Sequence, residues 1–169
     1  PELWDVDNPL MAGIVQNQDS YMQSVAAQRP FFFDHIKDLT DSAFKEYFDL
    51  TGRKYERVMS YRAEDAEYLI LGQGSVVTSA EAVVDYLRET RKIKVGVVDL
   101  VMFRPFPDDL ISKILKDKKG VTVLERLDQP LAVDLPIIRE IRSVITKCIE
   151  NGIHKKDKPY PQLESYTPA

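Results

Sequence analysis

Three observations predict an open, three-layer α/β fold on a mostly parallel sheet, with a helical N-terminal lead-in and an extended C-terminal tail. Apolar runs of strand length stand at residues 68–71, 93–100 and 121–124. Stretches with apolar residues at helical spacing follow each of them. The runs are apolar at most positions, as strands buried on both faces are, and such strands need parallel neighbours and covering helices.

Residues 1–15 show no clear period and read as linker. Gln16 to Ser20 supply cap candidates for a short helix over 21–27, which Arg29-Pro30 is expected to end. From 31 to 50 the spacing of Phe33, Ile36, Leu39, Phe44, Tyr47 and Phe48 predicts an amphipathic helix interrupted near Thr40-Asp41 and closed by Thr51-Gly52. Residues 55–62 alternate in character and read as an edge strand.

Residues 67–87 form the first strand-turn-helix unit. The apolar run stops at Gly72-Gln73-Gly74-Ser75, and Val76, Val77, Ala80, Val83, Val84 and Leu87 then recur at helical spacing. Thr78 with Glu81 makes a capping box, so the helix is expected to start after Thr78. In the second unit, strand 93–100 leads through Arg104 and Pro105 to a helix whose first turn carries Asp108 and Asp109. Gly120 is read as its cap before the third strand. After a loop over 125–130, the positions from Leu135 to Ile149 predict a long amphipathic helix stopped by Asn151-Gly152. The polar, proline-bearing tail from 153 is expected to run extended across the surface. The expected organisation is therefore a linker and lead-in over 1–54, an α/β domain over 55–152 and a tail over 153–169.

A net charge of -4 advertises no surface for nucleic acid or anionic lipid. No apolar run approaches the roughly 18 residues of a membrane span. Cys148, the single cysteine, excludes an internal disulfide framework, and with only His35 and His154 beside it no zinc or iron-sulfur motif exists. A reducing cytoplasm is the expected setting. A start at Pro1, without an initiator methionine, reads as a segment of something longer.

Ligands of open α/β sheets bind beyond the carboxyl ends of the strands, which here means the loops at 72–75, 102–107 and 125–130. Gly72, Gly74 and Ser75 present backbone amides suited to an anion at a helix start. Yet the loop lacks the third glycine of a dinucleotide fingerprint and the Gly-Lys-Thr/Ser of a P-loop, so turn geometry alone is the favoured reading. Arg104 and Arg126 follow the second and third strands, where they can clamp a carboxylate or phosphate, or form ion pairs at a domain edge. Cys148 lies on an apolar stripe and reads as a core thiol; His35 and His154 read as solvated. Nothing in these residues assembles a catalytic group.

In order along the chain stand GIVQNQDSYMQ from Gly13, LTGRKY from Leu50, DAEY from Asp65, Gly74-Ser75, VDYL from Val84, KVGV from Lys94 and FRPFP from Phe103. This series resembles the second domain of pyruvate:ferredoxin (flavodoxin) oxidoreductases and related 2-oxoacid:ferredoxin oxidoreductases, over about residues 13–140. The resemblance implies a fold similar to the C-terminal domain of transketolases, with one antiparallel strand. It implies a noncatalytic assembly domain whose parent, a homodimer, oxidatively decarboxylates a 2-oxoacid to acyl-CoA. The parent is expected to use thiamine diphosphate, magnesium, iron-sulfur clusters and coenzyme A, all held in other domains or subunits, with none in this segment. The chain departs from the family pattern at Gln18, at Gln73 and in the length of the helix and tail after Ile138. Two other readings stay open: a stand-alone module whose loop 72–75 binds a phosphate-bearing ligand or coenzyme A, and a transketolase-like domain recruited purely for interaction.

Overall fold

The computed structural model describes residue 7, residues 15–152 and residues 161–166. Two compact units are distinguished, Pro1–Leu39 and Thr40–Ala169.

Helix α1 spans Gln18–Gln28, a π turn spans Arg29–Phe33, and helix α2 spans Asp34–Thr51. Arg29-Pro30 was expected to end the first helix; α1 does stop at Gln28, but the chain stays coiled through a π turn. Proline has no N–H and crowds the carbonyl four residues back, so the coil widens instead of breaking. Asp34 N–H reaches back to the carbonyls of Arg29 and Phe32 and restarts the α pattern. The expected interruption at Thr40-Asp41 is absent, because nothing there removes a hydrogen bond. Gly52, at φ +71°, takes the left-handed conformation that closes α2.

Five strands form one sheet in the order β1-β3-β2-β4-β5. They are β1 (Val58–Tyr61), β2 (Tyr68–Gly72), β3 (Val95–Leu100), β4 (Gly120–Leu124) and β5 (Gln162–Tyr166). Strand β1 is the expected edge strand and runs antiparallel to β3, while the other pairings are parallel. Strand β5 was not foreseen: residues 162–166 are extended, as expected of the tail, but they pair with β4 and close the far edge. The tail residues 153–160 and 167–169, with His154, lie outside the described residues.

Helix α3 (Val76–Tyr86), continued by a π turn over Leu87–Arg91, covers one face; α4 (Asp108–Leu115) and α5 (Pro136–Glu150) cover the other. Alternation within each strand divides the core. Leu69, Leu71, Val98, Leu100, Val121 and Val123 pack with Ile111, Leu115, Ile138, Ile141 and Cys148, whereas Val95 and Val97 pack with Val77, Ala80 and Val84. Burying such a side chain contributes about 1.5–3 kcal/mol, which is why the run 95–98 is apolar at each position that carries a side chain.

Two sequence expectations about helix ends fail. Helix α3 begins at Val76, and Ser75 makes no side-chain cap bond, so the Thr78–Glu81 box does not form. Gly74, at φ +77°, bends the chain early enough for Val77 N–H to reach the Gly74 carbonyl at 3.1 Å. Helix α4 ends at Leu115, Asp117 takes the left-handed conformation, and Gly120 is the first residue of β4 rather than a cap.

The loop from Arg62 to Ala66 crosses the start of β3 and is fastened by long cations. Arg88 donates to the carbonyls of Val95 (2.6 Å) and Arg62 (2.8 Å) and pairs with Asp65 (2.8 Å). Lys118 donates to the carbonyls of Ala63 (2.6 Å) and Ala66 (2.8 Å). Gly96 permits this crossing, since a Cβ there would lie 2.6 Å from the Arg62 carbonyl oxygen and 2.8 Å from Ala63 Cα. Gly96→Ala is therefore expected to destabilise the domain by about 1–3 kcal/mol, seen as a lower urea midpoint. An unchanged midpoint would show that the crossing is not tight.

Candidate functional site

The carboxyl ends of β2, β3 and β4 form the edge at which ligands of this architecture bind. Strand β2 delivers Gly72, Gln73, Gly74 and Ser75 to it and α3 leaves from there. Gly72 is buried, and a Cβ on it would meet Val76 Cγ1 at 3.1 Å and lie 3.7 Å from the Leu124 carbonyl oxygen. Gly74 carries the positive φ. Both glycines thus have work in closing the strand-to-helix turn.

Arg104 follows β3 in a loop whose Arg104-Pro105 peptide is cis. Its guanidinium lies 4.0 Å from the centre of the Phe103 ring and pairs with Glu140 of α5 at 2.7 Å. Arg126 follows β4 and is exposed. Among the described residues no hydrogen bond or ion pair joins Arg104 or Arg126 to the 72–75 loop. The structure thus sets all five candidates on one edge without linking them into a cluster. Cys148 is buried and His35 is exposed, as their patterns predicted.

Two carboxylates stand at this edge, and the role of Glu125 escaped the sequence reading. Glu125, only 3% exposed, follows β4 and accepts hydrogen bonds from the N–H groups of Ile137 (2.7 Å) and Ile138 (3.1 Å). It caps α5 from another element, because Leu135 and Pro136 bring no capping side chain of their own. A signal existed: the first turn of a long helix without a Ser, Thr, Asp or Asn cap needs an acceptor from elsewhere. Asp99, half-buried opposite Gly72 in the β2–β3 register, has its carboxyl held above its ordinary value by burial and by the nearby charge of Glu81.

An apolar groove of about 480 Å³ lies along α2, floored by Phe44, Phe48, Tyr55 and Leu110. Arg57 fixes one wall by pairing with Asp41 of α2 (2.9 Å) and Asp109 of α4 (3.4 Å). The alternation that marked 55–62 as a strand hid this role, since Arg57 precedes the first paired residue, Val58. Among the described residues, no group of three His, Cys, Asp or Glu is arranged to hold a metal ion, and no helix is long and apolar enough to cross a membrane.

The chain matches the family model for pyruvate:ferredoxin oxidoreductase core domain II over residues 66–156. It is 32% identical over 143 residues to pyruvate synthase subunit PorA of Thermotoga maritima, covering 85% of this chain and 36% of that protein. The probable pyruvate-flavodoxin oxidoreductase of Escherichia coli is 31% identical over 150 residues, or 86% of this chain and 12% of that one. Pyruvate:ferredoxin oxidoreductase of Moorella thermoacetica is 30% identical over 146 residues, again with 86% and 12% covered. The chain spans about a third of the first of these and about an eighth of the other two.

Glu125→Ala removes both acceptors of the α5 cap and is expected to cost about 1–3 kcal/mol, with Glu125→Gln milder. Thermal denaturation of the two variants checks this, and equal losses would contradict the cap. Asp99 carries a definite pH sign. Its folded carboxyl binds a proton more tightly than the unfolded one, so that contribution to stability is full below the ordinary value of 3.8 and lost as pH rises through the raised folded value. Melting curves of Asp99→Asn should show a Tm advantage over the parent that grows across this window and persists at neutral pH.

Proposed function

The chain belongs to the core domain II family of pyruvate:ferredoxin oxidoreductases, and from that membership we propose that it is a structural and assembly domain of a thiamine-dependent 2-oxoacid oxidoreductase. The parent would oxidise a pyruvate-type 2-oxoacid, pass its electrons to ferredoxin or flavodoxin and deliver the acyl group to coenzyme A. The single observation that carries this reading is the family match across β2 to α5, the region that holds the three inner strands and both helical layers. The names of the relatives, a pyruvate synthase subunit and pyruvate-flavodoxin oxidoreductases, agree with it.

The division of labour rests on the chemistry of the edge. Gly72 and Gly74 are committed to turn geometry, Glu125 to a helix cap and Arg104 to Glu140. Thiamine diphosphate, magnesium and iron-sulfur clusters would therefore sit in other domains or subunits of a homodimeric, cytoplasmic enzyme. The edge bearing Gly72, Gly74, Ser75, Arg104 and Arg126 would face one of those neighbours.

Complete protein expressed from its reading frame is expected to reduce a low-potential acceptor only when pyruvate, or a close 2-oxoacid, and coenzyme A are both supplied. Reduction that ignores every 2-oxoacid would overturn the proposal. Calorimetry should find no thiamine diphosphate binding to residues 1–169, and micromolar binding would move the cofactor into this domain. Arg104→Glu is expected to weaken assembly of the complete enzyme on a sizing column; an intact assembly would remove this edge from the interface.

A further inference from the structure

Phe31, Phe32 and Phe33 follow one another in the π turn with 73%, 65% and 49% of their surfaces exposed. Successive residues of so wide a turn point roughly 80–90° apart, so three rings in a row cover about half of the circumference rather than one stripe. No flat surface buries all three. Tyr21, Met22 and Leu39 are exposed by 56%, 65% and 66% in the same unit, and neither α1 nor the π turn contains a buried residue. A helix with so little packing is not held by propensity alone, and a bare apolar patch of this kind marks a contact surface.

We propose that the Phe31-Phe32-Phe33 turn is a docking surface that inserts into an apolar cleft of a neighbouring domain of the same oxidoreductase. This rests on the proposed function. The occupant is argued from the length of the relatives. The pyruvate-flavodoxin oxidoreductase of Nostoc matches over 163 residues, 96% of this chain, which takes in nearly all of the helical segment as well as the sheet. That match is only 13% of the relative's length. Most of such an enzyme thus lies outside this segment and offers covering surface within the same molecule. Rings that point in three directions need a partner that surrounds them, and a cleft in a larger domain does so, whereas a second helix packed alongside touches one side.

Hydroxyl-radical footprinting of the complete protein tests this without a variant, reading oxidation of Phe31, Phe32 and Phe33 by mass spectrometry. The expected result is oxidation slowed roughly ten-fold relative to the urea-unfolded protein, unchanged on dilution. Rates in the native protein equal to those of the unfolded one would overturn the proposal. Protection lost on dilution to the monomer would assign the surface to a second copy and overturn it as well. Pyruvate-dependent activity, measured on the same sample, separates the two readings: protected rings without activity leave the docking surface standing and sink the function, while exposed rings with activity do the reverse.

Discussion

Strands β2 and β3 are buried between two helical layers, and the rest of the α/β domain answers to that constraint. A side chain on either face of these strands meets packed apolar surface, so Leu69 and Leu71 serve one layer while Val95 and Val97 serve the other. Parallel pairing then dictates that each strand be followed by a helix that returns the chain. The close crossing of residues 62–66 over Gly96, fastened by Arg88 and Lys118, seals the end of the sheet opposite the ligand edge. Loops are free to vary at the carboxyl edge, where the candidate residues lie.

At that edge the available polar groups are committed to the fold. Glu125 is taken by the α5 cap, Arg104 by Glu140, and the glycines by the turn. Arg126 stands exposed instead, and Asp99 is a half-buried carboxylate that costs stability in its charged form and has no cation pair among the described residues. The groove under Arg57 and the aromatic turn at Phe31 to Phe33 each expose apolar rings.

Much of this was legible in the residues. The runs 68–71, 93–100 and 121–124 revealed the three inner strands because two-sided burial demands mostly apolar character, and Gly52 and Gly152 marked helix ends because each takes a positive φ. Strand β5 was illegible for the complementary reason. An edge strand with an exposed outer side carries Gln162, Glu164 and Ser165, which look like any surface segment. The Thr78–Glu81 box misled because Gly74 started the helix three residues earlier, and Pro30 ended the α pattern without ending the coil because a π turn absorbs a proline that an α-helix would not. Glu125 and Lys118 act on backbone groups at least 12 residues away, which no local pattern encodes.

The central claim is that this segment supplies architecture and contact surfaces while the cofactors of the parent oxidoreductase sit elsewhere. An experimental structure of the complete protein with thiamine diphosphate and coenzyme A bound tests it most directly. The account predicts that neither ligand touches the 72–75 loop, Arg104 or Arg126, and that protein from another domain covers that edge. Cofactor density in contact with those residues would contradict it.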